Sequence, residues 1–224
     1  MPKNLQSRKR QLVRDAIYDA AIELFARKGF DETTVEEIAE AAGISRRSFF
    51  RYFETKDDLL ALNTVTCGEI LVDTVVSCPS SLRPLDVMRE AVLAGAKFTE
   101  GLPRVRQIIE IAGRSASARQ AHLSRLIEVE EKLAAAYATR LKSASVYHMK
   151  PRVLAGLTML ILNNATGSWY SEEFKDLNTA MKHGFLTVTR LFCDDSAPSL
   201  KVEAAVQGRK PFSPAKKKLI AGFK

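Results

Sequence analysis

A chain of 224 residues, 46% hydrophobic and 27% charged, has the length and apolar content for one or two domains with a buried core. Its formal net charge of +8 favours an anionic partner, nucleic acid first, and its odd, scattered cysteines, Cys67, Cys78 and Cys193, suggest a reducing interior and neither a disulfide framework nor a zinc site. No apolar run approaches the ~20 residues of a membrane span and no secretion signal is visible, so the expected setting is cytoplasmic, with no membrane.

Helical periodicity runs through nearly the whole sequence and no alternating strand pattern of useful length interrupts it, which predicts an all-α fold. The first helix is expected from about Ser7 to Arg27, with Val13, Ile17, Ala21, Leu24 and Phe25 on one face and Gly29 as its stop. Thr33 or Thr34 caps a second helix that ends at Gly43. Ser45 caps a third, short one from Arg46 to about Phe53, and Thr55, with Asp58 three residues on, starts a fourth. Pro79 and Pro84 bracket a loop. Further helices are expected at about 84–99, 103–113, 117–144, 151–172 and 178–193. The basic segment at Arg8, Lys9 and Arg10 reads as a disordered arm, and 194–224 as a basic flexible tail that carries half of the net positive charge.

The stretch "AEAAGISRRSFFRYF", residues 39–53, concentrates rings and arginines just past Gly43. On a helical wheel Phe49 and Phe53, with Ile44, face inward. Arg47, Ser48 and Arg51 point the other way, and Arg46 stands in the first turn. Ala39 and Gly43 are small where two helices cross closely. The pattern is that of a helix-turn-helix, in which the second helix offers its N-terminal residues to the major groove of double-stranded DNA. Arginine brings a planar donor fork to guanine edges or phosphates. Helix N-termini suit phosphates, so Thr33, Thr34 and Lys56, at the starts of the second and fourth helices, are candidate clamps.

Residues 20–60, "AAIELFARKGFDETTVEEIAEAAGISRRSFFRYFETKDDLL", resemble the N-terminal DNA-binding domain of the TetR family of bacterial transcriptional regulators. The resemblance rests on "LFARKGF", "TTVEEIAEAAGIS" and "YFETKDDLL" in that order. It implies an all-helical homodimer with an N-terminal three-helix reader, residues 1–55, and a larger helical domain, residues 56–193, that binds a small-molecule inducer and dimerises. It implies a repressor released from a palindromic operator by that inducer; an enzyme is not expected, since no nucleophile–base arrangement, Gly-rich phosphate loop or paired-carboxylate pattern is present. Ser45, Arg46, Arg47 and Ser48 then fall where DNA is contacted, and Phe50, Tyr52 and Lys56 where backbone contacts are common. Arg51 is a weaker candidate, and Phe50 lacks the hydroxyl of the tyrosine often found at its position.

Beyond residue 60 the signals thin. Phe98, His122, Asn163, Thr166 and Trp169 are candidates for a ligand cavity, since pockets between helices mix rings with a few polar groups. The three histidines, His122, His148 and His183, lie far apart, so no metal and no cofactor are expected. The helices near 151–172 and 178–193 are the expected dimer surface, forming a four-helix bundle across a two-fold axis. A ligand-independent architectural protein using the same reader is the competing function, and a chain whose second domain is solidly packed would favour it.

Overall fold

A computed structural model describes residues 2–143, 145 and 148–193. Among them the architecture is all-α, in chain order α1 (Pro2–Lys28), α2 (Val35–Ala41), α3 (Arg46–Phe49), α4 (Lys56–Ser77), α5 (Pro84–Glu100), α6 (Val105–Arg114), α7 (Ala116–Arg140), α8 (Met149–Tyr170) and α9 (Leu177–Cys193). The packing that matters here lies within Met1–Thr189, which form one unit. The tail at 194–224 lies outside the described residues.

Two apolar clusters organise the helices. The first gathers Ile17, Ile22 and Phe25 of α1, Ile38 of α2, Phe49 of α3 and Leu59 and Leu60 of α4. Ile108 and Ile111 of α6 and Ala118 of α7 complete it from the far side. The second is built on α4, α5, α7, α8 and α9, with Leu71, Met88, Leu133, Tyr137 and Met181 fully buried. Tyr137 keeps its hydroxyl satisfied there by a 3.1 Å hydrogen bond to Thr158 Oγ1, and burial still pushes its pKa to about 12. α4 and α7 approach closely at Gly68, where a Cβ would stand 2.5 Å from Val129 Cγ2. By length and composition alone α4 is apolar enough to cross a membrane, which the reading of contiguous apolar runs overlooked. Its apolar residues instead contribute to both clusters.

Several boundaries correct the sequence reading. Arg8, Lys9 and Arg10 are not an arm: they are exposed residues of α1, which continues back to Pro2. α3 is one turn long and stops at Phe49, because Arg51 and Tyr52 donate to carbonyls three residues back, Ser48 O and Phe49 O, and tighten the chain out of the helix. α7 and α8 end four and two residues early, at Arg140 and Tyr170. Lys142 (φ 51°) and Glu172 (φ 65°) take the left-handed conformation at these ends, and Ser143 N–H and Glu173 N–H reach back to Ala138 O and Ser168 O.

Candidate nucleic-acid interface and cavity

The bend between α2 and α3 is a hydrogen-bonded stop. Gly43 sits at φ 67°, Gly43 N–H donates to Glu40 O at 3.0 Å, and Ile44 N–H reaches Ala39 O at 2.9 Å. That pair of bonds needs a left-handed residue after the C-cap, a conformation that glycine adopts without a Cβ penalty. At its other end α2 carries a capping box. Thr34 Oγ1 accepts from Glu37 N–H, Glu37 Oε2 accepts from Thr34 N–H at 3.0 Å, and Lys28 Nζ meets Glu37 Oε1 at 2.5 Å. The Lys28 hydrogen bond, ahead of the backbone one from Thr34, pulls the Glu37 carboxyl to about 2.

α3 is fixed by its rings and by Ser45. Phe49 is fully buried and Phe53 nearly so, with their centroids 6.0 Å apart. Ser45 Oγ accepts from Ser48 N–H at 3.1 Å and donates to Ser48 Oγ at 3.0 Å. Arg46 bridges back to Glu36 of α2 at 2.9 Å and lies over the exposed ring of Phe50, 5.5 Å from its centroid. Both ends of that ion pair are well exposed, so it adds little stability and leaves Arg46 free to exchange partners. Arg51 stacks over Tyr52 at 5.1 Å and donates to its hydroxyl at 3.3 Å. Arg47 is exposed and has no partner among the described residues. Ser45, Arg46, Arg47, Ser48, Phe50, Arg51 and Tyr52 therefore lie on α3 and the residues flanking it, and the Arg46–Glu36 bridge ties this segment to the start of α2, where Thr34 is exposed.

Two expected phosphate clamps give way. Thr33 is buried at 1% exposure and its hydroxyl donates to Gly29 O at 2.7 Å, so it closes the α1–α2 loop. Lys56 Nζ donates to Phe30 O, Asp31 O and Thr33 O at 2.8, 3.1 and 3.0 Å and rests 4.7 Å from the Phe30 ring centroid. An ammonium has three donors, and all three are spent on that loop.

That loop, α1 and α4 are also held by polar side chains at the start of α6, just past its end and on α7. Ser115 Oγ donates to Asp31 Oδ2 at 2.8 Å and Ser117 Oγ to Asp31 Oδ1, and these hydrogen bonds, Ser117's foremost, lower the Asp31 pKa. Arg104 pairs with Asp19 at 3.0 Å and Glu23 at 2.9 Å, carboxylates one turn apart on α1. Arg125 of α7 reaches Asp58 at 2.7 Å. Only the i, i+4 spacing of Asp19 and Glu23 was visible in the sequence, and it names no partner.

Between α4, α5, α6, α7 and α8 lies a cavity of about 390 Å³. Of the five candidate ligand residues, His122, Asn163 and Thr166 line it. Phe98 and Trp169 do not: both are half-buried against the second cluster, and Arg106 covers the Trp169 ring at 4.4 Å. Asn63, Thr64 and Cys67 on α4 and Thr99 on α5 add polar groups that the sequence reading did not single out, because their residue types and spacing match no motif. Thr64 Oγ1 lies 3.2 Å from His122 Nδ1, and Asn63 Nδ2 donates to Tyr18 OH at 2.7 Å.

Residues 17–62 match the family model described as bacterial regulatory proteins, tetR family. Those residues carry the DNA-binding signature of the TetR family. As in the sequence reading, the match begins within α1 and ends in α4, so it covers the helix-turn-helix and its bracing helices. Along its length the chain is similar to the HTH-type transcriptional regulator TcmR of Streptomyces glaucescens, 27% identical over 186 residues that cover 77% of this chain and 80% of the relative. Its fold is similar to that of NalD of Pseudomonas aeruginosa, the secondary repressor of a multidrug efflux pump (TM-score 0.58, 21% identity, 80% of this chain and 96% of NalD). It is also similar to SmeT in its complex with triclosan (TM-score 0.55, 19% identity, 79% of this chain and 91% of SmeT). SmeT is the repressor of an efflux pump of Stenotrophomonas maltophilia.

Proposed function

We propose that this chain is a sequence-specific repressor of the TetR family that leaves a palindromic operator when a small molecule enters the α4–α8 cavity. The observation that carries the DNA-binding half is the exposed turn of α3, where Arg47 has no partner among the described residues and Arg46 is held by an exposed ion pair and the exposed Phe50 ring. A guanidinium presented this way suits the edges of guanine in the major groove, with Ser48 on the same helix and Thr34 at the start of α2 for edges or phosphates. In this reading residues 1–55 bind DNA and residues 56–193 hold the effector and dimerise. Exposed Val153 and Leu160 on α8 and Leu186 on α9 favour those helices as the dimer surface. Two readers related by a two-fold axis need half-sites ~34–36 Å apart or a multiple of that, hence a palindrome.

The effector half rests on the cavity, which falls within the ~300–1,000 Å³ of small-molecule sites and speaks against a ligand-independent architectural role. Its wall reaches the reader through α6. Ile108 belongs both to the cavity wall and to the first cluster, and Ser115, just past the end of α6, holds Asp31. NalD and SmeT are repressors by name and SmeT is seen with triclosan, which is consistent with this assignment. In the test, the chain is footprinted on its own upstream intergenic DNA against random competitor at two salt concentrations. Protection of a palindrome that survives competitor is the expected result. Binding that is equal on both DNAs and vanishes with salt would refute a sequence-specific regulator of that site.

A further inference from the structure

The cavity has a feature that narrows what can occupy it. Among the residues that line it there is no Asp, Glu, Lys or Arg. Leu71, Val105, Ile109, Leu126, Val129 and Met159 make most of the wall apolar. The two titratable side chains that do line it are uncharged near neutral pH. Burial lowers the His122 pKa below its ordinary 6.5, and burial pushes the Cys67 thiol to about 11 against a smaller opposing contribution from its hydrogen bond to Thr99. The arginines next to lining residues in the chain are committed elsewhere: Arg104 to Asp19 and Glu23, Arg106 to the Trp169 ring and to Glu172 at 3.8 Å, and Arg125 to Asp58 and Glu128.

An ion entering such a site would give up its hydration with no opposite charge to replace it, which costs far more than burying an apolar chain gains. A single hydrogen-bonding group is a different matter. His122 Nδ1 meets Thr64 Oγ1, which leaves Nε2 without a partner among the described residues, and whichever tautomer that contact selects, one ring nitrogen remains to donate or accept.

Resting on the effector reading above, we infer that the molecule this cavity takes is uncharged and largely apolar, with one hydroxyl- or carbonyl-type group directed at the His122–Thr64 pair. Fatty-acid-like anions and lipophilic cations are disfavoured by the same wall that admits a neutral chain of equal length.

Three probes of one chain length separate these classes: decyl alcohol, decanoate and decyltrimethylammonium, titrated calorimetrically into the full-length protein at neutral pH and below micelle-forming concentrations. The alcohol is expected to bind, and the two ions to bind at least about tenfold more weakly, because neither finds a counter-charge. Thr166→Phe, and independently Leu126→Phe, fill the cavity and are expected to abolish alcohol binding. Whichever variant keeps the parent melting temperature carries that comparison. His122→Leu should weaken the alcohol several-fold. An ion binding as tightly as the alcohol, or no binding by any of the three, overturns the inference. The same samples are then titrated onto the protected DNA: if the alcohol binds the cavity without changing DNA affinity, the effector reading falls while the ligand class stands.

Discussion

Lys56 shows how a residue's type can point to one role and its surroundings to another. A lysine at the start of a helix, just after the reader, invites a phosphate contact. Its ammonium instead holds three carbonyls of the α1–α2 loop and sits on Phe30. Replacing Lys56 with Gln should therefore cost about 1–2 kcal/mol of stability, read as an earlier unfolding midpoint. The salt dependence of binding to random DNA should stay unchanged, whereas loss of a phosphate contact would reduce that slope by about one. Thr33 makes the same point. The sequence left two adjacent threonines as alternative caps, and only geometry separates Thr34, which caps α2, from Thr33, which is buried. Arg46, Arg47, Ser48, Phe49 and Phe53 were legible because their faces follow from helical spacing around a short turn.

Among the elements, the helix-turn-helix was readable because each boundary carries its own signal: Thr34 and Ser45 as caps, Gly43 as the left-handed stop, Thr55 with Asp58 before α4. The ends of α7 and α8 carry none. Lys142 and Glu172 take the left-handed conformation although neither is glycine, so propensity continues both helices too far. The close crossing of α4 and α7 was equally silent, since Gly68 looks like any glycine until Val129 is seen against it. Gly68→Ala gains about 1 kcal/mol of helix propensity but meets a buried, branched side chain that has no room to swing away. Overpacking costs about 1–3 kcal/mol, so a net loss of stability is expected in chemical denaturation, and a gain would mean that α4 and α7 separate more easily than their packing implies.

At the scale of the whole molecule, the cavity wall and the first cluster share Ile108 of α6, and the lining of the cavity sets part of the pH response. His122 is held neutral by burial, with a folded pKa below 6.5. The unfolded chain therefore takes up this proton first as pH falls, and stability drops through and below pH 6.5 until the folded ring also protonates. His122→Asn should flatten that decline relative to the parent protein when melting midpoints are compared across the window. An unchanged difference between the two would place the loss of stability on other groups. The cavity itself was only partly legible. His122, Asn163 and Thr166 came from scattered polar residues on apolar helices, while Phe98 and Trp169 matched the same expectation and pack half-buried against the second cluster, because a ring on a helix face fits a pocket wall and a packed interior equally well.

The most direct test of the central claim is the affinity of Arg47→Ala for the footprinted operator and for random DNA, measured at one salt concentration beside the parent protein. If Arg47 reads a base, the operator complex weakens by about 1–3 kcal/mol while random DNA is bound nearly as before. Equal losses on both DNAs, or no loss on either, would contradict the claim that this turn of α3 reads sequence.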